Sequence, residues 1–205
     1  MKKVVVPAVI GLLFMAIAGV IAFRTIAAKE SNAGVKEVSP KAAKALEEKI
    51  NRIESAQHSP AHKHGSSRVE VSEAELESGL LYSLKDDIPA QVDSADVQIG
   101  TDTISLDTQI TFSPNATGNP MVDTVVGGTH NLYVKGNLVG EHARGKFDLL
   151  EVRVDGIPVP NVLIQALIKR YVKPKYPDVD LNEPFDLPWG IEELKLESHK
   201  ATVVY

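Results

Sequence analysis

Between Thr103 and Phe112, apolar and polar side chains take turns. Ile104, Leu106, Ile110 and Phe112 fall on one face, and Ser105, Asp107 and Gln109 on the other. A period of two marks a half-buried β-strand, because successive side chains point to opposite faces of a sheet. The same grammar starts at Arg68 and predicts further strands over 68–71, 92–99, 131–139, 146–155, 191–197 and 201–205. Gly100-Thr101-Asp102 turns one hairpin, residues 140–145 join a second, and Leu187-Pro188-Trp189-Gly190 leads into the last. Two helices interrupt the strands. Ser72-Glu73-Ala74-Glu75 is a capping box opening the first, which carries Leu76, Leu80, Leu81 and Leu84 inward and stops near Pro89. Gly156-Ile157-Pro158-Val159-Pro160 launches the second over 161–172, where only Gln165, Lys169 and Arg170 interrupt a run of apolar residues after Asn161. A helix apolar nearly all round must be covered on most sides or must line an apolar cavity. The strands lack regular βα alternation, so the expected fold is α+β: a curled antiparallel β-sheet packed on one or two helices.

The N-terminal segment obeys other rules. Residues 4–23 carry no charge between Lys3 and Arg24. As a helix, 20 residues span roughly 30 Å, the thickness of a bilayer's hydrocarbon core. The expected reading is a transmembrane anchor over 1–28. The alternative is a cleaved signal peptide, with Ala16-Ile17-Ala18 as the small-x-small site. Lys2 and Lys3 favour a cytoplasmic N-terminus. That orientation makes the chain a single-pass protein of the inner (cytoplasmic) membrane, with its C-terminal domain in a bacterial periplasm.

Residues 29–67 read as a helical stalk followed by a linker. Ser39 is an N-cap before Pro40, and Ala43, Leu46, Ile50 and Ile53 form a narrow apolar stripe. The stripe fits either a short coiled coil, which would make the chain a homodimer, or a lone amphipathic helix resting on the domain or the bilayer. The linker carries His58, His62 and His64 among Pro, Gly and Ser. No carboxylate or rigid element orients these imidazoles, so a solvated linker is expected and no metal ligand is assigned. The folded domain then occupies 68–205.

Composition narrows the function. The 205 residues include 22 basic and 27 acidic ones and no cysteine. Setting Lys2 and Lys3 aside leaves the exported part at 20 against 27, a balance of −7. An acidic domain without a basic, aromatic-interleaved patch is a poor binder of nucleic acid. Without cysteine there is no disulfide scaffold, thiolate metal site or Cys nucleophile. No metal-protease, phosphate-loop, hydrolase-elbow or dinucleotide motif occurs, so no catalytic residue and no cofactor is expected. Gly127-Gly128-Thr129-His130, with Asp123 nearby, reads as a loop. It ends a long connection over 113–129 whose apolar residues, Met121-Val122 and Val125-Val126, suit a flap. Trp189 is expected to plug one end of the core, or else to meet a ligand or the membrane interface.

The order of elements resembles a known family. The opening Val71-Ser72-Glu73-Ala74-Glu75-Leu76, the Gly156-Ile157-Pro158-Val159-Pro160 run before an apolar helix, and Leu187-Pro188-Trp189-Gly190-Ile191 before a terminal hairpin carry the likeness. Over about 68–205 they are similar to the tubular lipid-binding (BPI-like, TULIP) envelope proteins, including the LmeA-like phospholipid-binding family. The resemblance implies a curled sheet wrapped on a helix, with acyl chains held in the seam. The helix at 161–172 is short for that fold, which points to a shallow groove. The expected ligand is a lipid or another long apolar molecule, with Phe112, Phe147, Leu163 and Leu167 lining its site. The competing expectation is a non-catalytic structural or protein-interaction module of the envelope.

Overall fold

The computed structural model describes residues 38–59, 62–83, 91–112, 128–167 and 183–205. The uncharged span at 4–23, the flap at 121–126, Leu84 and the apolar helix beyond Leu167 lie outside the described residues. No helix among the described residues is long and apolar enough to cross a membrane.

Nine strands of the described residues join one sheet, and every pairing is antiparallel. In chain order they are β1 (Arg68–Ser72), β2 (Gln91–Ile99), β3 (Thr103–Phe112), β4 (Gly128–Glu141), β5 (Arg144–Val154), β6 (Ile157–Pro158), β7 (Phe185–Asp186), β8 (Glu193–Glu197) and β9 (Lys200–Val204). The helices are α1 (Pro40–Gln57), α2 (Glu73–Ser78), which continues as a π turn (Gly79–Ser83), and α3 (Asn161–Leu167). This is the α+β antiparallel architecture that the alternation predicts.

The 14-residue β4 organises the sheet. One edge pairs with β5 from Leu132 to Glu141. The other edge is long enough for two strands: β3 takes Gly128 to Asn137, and Gly140 pairs with Leu194 of β8. The β2–β3 hairpin and the β8–β9–β1 block therefore lie on the same side of β4. Their turns meet there, with the His199 amide donating to the Ile99 carbonyl at 2.8 Å and the Asp102 amide to the Leu196 carbonyl at 3.3 Å. Bulges at Val92/Ser94 and Lys135/Gly136 add bend to the ladders.

Register decides the faces. Val97, Leu106, Val134 and Val152 follow one another across β2 to β5 on the inner side, and Asp96, Asp107, Tyr133 and Arg153 form the neighbouring outer row. Outside, the Arg153 guanidinium sits 4.2 Å from the Tyr133 ring centre. Inside, Ile110 is 1% exposed and Leu132 2%. Burying each contributes about 2 kcal/mol.

The connection expected in the second hairpin changes. Gly140 and Gly145 lie within β4 and β5, and the turn is only His142-Ala143, both at positive φ. The glycines serve close approach instead. A Cβ on Gly140 would stand 2.7 Å from the Leu194 Cβ, and one on Gly145 would stand 2.7 Å from the Phe185 ring.

The stripe on α1 faces the domain. Ala43 and Ile53 are buried, Leu46 packs on Gly79, and Ile53 joins Val69, Ile191, Val203 and Tyr205 in a second apolar cluster. Of the two arrangements the stripe allowed, the helix resting on the domain is the one present, and those residues are not free for a coiled-coil seam. Ser39 caps α1 as expected, its Oγ accepting from the Ala42 amide at 3.2 Å. The histidines that follow do not converge as a trio: His58 pairs with the Glu54 carbonyl, while His62 stacks on Tyr205 at 5.4 Å with its Nε2 buried and meets the His64 ring edge-on at 6.3 Å. His62 is half-buried there, while His58, Ser59 and residues 63–66 are exposed.

Candidate functional site

The inner face of the sheet is the feature with the clearest binding chemistry. Its central positions on β2 to β5 are Ile, Leu and Val, and the polar exception in the middle, Thr108, is 1% exposed. Thr108 Oγ1 donates to the Ser94 carbonyl at 2.6 Å, a partner that the bulge in β2 turns toward it. The face is thus apolar without an unmet hydroxyl at its centre.

Helices cover this face from one side. Leu46 of α1, Leu76 of α2 and Leu80 of the π turn pack into the same cluster as Val97, Ile99 and Ile110. The capping box at Ser72 starts α2 directly off the edge strand β1 and aims it at the opposite edge, β2. There Glu77 Oε1 accepts the Val97 amide and Glu73 Oε1 the Ile99 amide, each at 2.7 Å. On the β1 side the charge is reversed, with Lys49 Nζ donating to the Glu70 carbonyl at 2.6 Å. Outward N–H groups of one edge meet carboxylates, and an outward C=O of the other meets an ammonium. Both edges are thereby protected from pairing with another chain.

At the far end of the sheet stands α3. Ile164 is 7% exposed and joins the inner cluster, while Val162 on the same helix is 82% exposed. Ile157, 42% exposed, adds a second apolar side chain to this rim. His130 lies here as well, on the inner side opposite Ile110. Its Nδ1 is 2.9 Å from Asp155 Oδ2, and the other Asp155 oxygen accepts the Asn131 amide at 2.8 Å. The acid beside His130 is therefore Asp155 from the β5–β6 turn; Asp123 lies outside the described residues.

The expected ligand-lining residues do not form one patch. Phe112 ends β3 opposite Gly128, and Leu163 and Leu167 belong to α3 at the same end. Phe147 pairs with Leu138, eight residues up β4 from His130, roughly 26 Å away along a strand. Its ring is 7% exposed and lies over Gly136. Trp189 packs on the second cluster with Ile191 and Tyr205, in agreement with a plug at one end of the core.

A separate cleft of about 600 Å³ runs between α1 and the β1–α2 corner. Two of its lysines are engaged, Lys49 Nζ with Glu75 at 2.5 Å and Lys200 Nζ with Glu70 at 2.8 Å. Among the described residues, no three His, Asp or Glu side chains converge in a way that could hold a metal ion. No protein-family model matches the chain, and no curated protein is similar to it.

Proposed function

We propose that this chain is a membrane-anchored domain of the bacterial periplasm that holds a lipid or another long apolar ligand against the inner face of its curled sheet. The observation that carries the reading is the one-sided chemistry of the sheet, together with α3, which sends Ile164 into the apolar cluster and Val162 to solvent. The uncharged span at 4–23 and the likeness to tubular lipid-binding envelope proteins support it. Binding needs no covalent step. Acyl chains leaving water gain about 0.8 kcal/mol per buried CH₂.

The test is native mass spectrometry of the full chain after detergent exchange, paired with uptake of a fluorescent phospholipid from vesicles. Co-purifying lipid mass and saturable uptake are the expected results. Bare protein mass without uptake overturns the reading.

A second reading, a structural or protein-interaction module of the envelope, is favoured by how fully the protein's own side chains bury Ile110 and Leu132. Crosslinking that captures a defined protein partner on a ligand-free domain would establish it in place of the first.

A further inference from the structure

Glu73 and Glu77 are the two buried acids among the described residues, 7% and 1% exposed. Neither has a part in holding an apolar ligand. Their Oε1 atoms bond alternate amides of β2, those of Val97 and Ile99, from one short helix. We propose that α1, α2 and the π turn form a hinged cover over the inner face, latched to β2 by these two carboxylates, and that its release admits the ligand. The proposal rests on the apolar-ligand reading above.

The attachments of the cover differ at its two margins. On the β1 margin, Ser72 runs directly into Glu73, Lys49 bonds the Glu70 carbonyl, and Ile53 packs with Val69 and Val203. The direct Ser72–Glu73 join, with no residues between strand and helix, and the packing of Ile53 make this margin the hinge. On the β2 margin, the attachments among the described residues include the two carboxylate–amide bonds, with His199 Nδ1 of the β8–β9 turn 3.3 Å from both Glu73 oxygens, and the packing of Leu76 and Leu80 with Val97 and Ile99. These carboxylate–amide bonds are fewer than the run of bonds in a strand ladder, and both partners regain hydration on release, so such a latch opens more readily than a ladder. The cover moves as a unit because Lys49 pairs with Glu75, the Ser39 amide bonds Ser78 Oγ at 3.1 Å, and Leu46 packs on Gly79. Lifting it uncovers what Leu46, Leu76 and Leu80 now shield. The widened π turn within the cover is of a kind common at functional sites.

The test is hydrogen exchange and phospholipid entry on the full chain carrying Glu77→Gln, with Glu73→Gln as the second variant should the first not fold. Glutamine still accepts through its Oε1 but without the charge that strengthens the bond, so exchange at Val97 and Ile99 speeds up by about 10- to 100-fold while Leu132 and Val134 keep their protection. A fluorescent phospholipid in vesicles then enters faster, to the same final amount. Val97 and Ile99 accelerating only in step with Leu132 and Val134 overturns the hinged cover, because the glutamates then serve global stability. Selective exposure without faster entry overturns its role as a gate. A wild-type chain that takes up no lipid at all removes the ligand reading, while the exchange pattern still judges the cover.

Discussion

The Phe147 ring lies over the bare α-carbon of Gly136, filling the space that a Cβ there would need. Phe147 itself pairs across the ladder with Leu138, and the bulge opposite Lys135 and Gly136 falls at Leu150, three residues further along β5. Gly136→Ala therefore costs about 2 kcal/mol by overpacking. Phe147→Leu, destabilising alone, recovers part of that loss when combined with Gly136→Ala, because the smaller side chain vacates the contested volume. Urea denaturation of the two single variants and the double variant measures the coupling. Losses that simply add would show that ring and glycine do not share this space.

Acid weakens the hold of α1 on α2 through Glu75. Burial pushes the Glu75 carboxyl up, but the Lys49 ammonium and the Ser72 amide and hydroxyl outweigh it and hold the value below the ordinary 4.5. A depressed folded value means stability that is fully present above pH 4.5, fades as the pH falls below it, and is gone beneath the folded value. Glu75→Gln is accordingly destabilising at pH 7 and indistinguishable from wild type in strong acid. Denaturation at both pH values decides it, and an equal penalty at each would remove the charge from the explanation.

Local signals were legible in the sequence, and distant ones were not. The capping box at Ser72 and Glu75, the Ser39 cap and the alternation through β3 are set by residues within a few positions of each other, and all are present. The partners of Glu73 and Glu77 lie 26 and 20 residues away, and an acidic i,i+4 pair on a short helix gives the same pattern as a solvated face. Gly140 and Gly145 looked like turn residues because glycine marks turns and close approaches alike. The true turn, His142-Ala143, lacks the Asn-Gly or Asp-Gly signature of a two-residue hairpin. Of the ligand-lining expectation, the apolar character of the inner face follows from alternation. The separation of Phe147 from the α3 end follows from register, which periodicity alone cannot count.

Asp107 has the opposite sign. Burial raises its carboxyl above the ordinary 3.8, Asp96 directly across the ladder raises it further, and Arg153 only partly offsets them. A raised folded value penalises the fold as the pH climbs from 3.8 through that value, and the penalty is constant above it. Asp107→Asn should stabilise the domain at pH 7 by about 0.5 kcal/mol, the scale of a half-buried like-charge cross-strand pair after discounting for solvent screening. At pH 3 the gain disappears. Thermal melts at the two pH values check both the size and the sign, and destabilisation at pH 7 would contradict the account.

Val162 provides the most direct test of the rim. At 82% exposure its side chain contributes little to the fold, so Val162→Glu should leave the melting temperature within the range of an ordinary surface change, about 0.5 kcal/mol. If α3 and Ile157 form the entrance to the apolar face, the same side chain contacts bilayer or acyl chain during transfer. Burying a valine there is worth about 1.5 kcal/mol. The variant then slows entry of a fluorescent phospholipid from vesicles by about tenfold, since about 1.4 kcal/mol is a factor of ten. Unchanged entry with unchanged stability would remove α3 from the path, leaving the margin of β2, where Glu77 holds the cover, as the whole of the entrance.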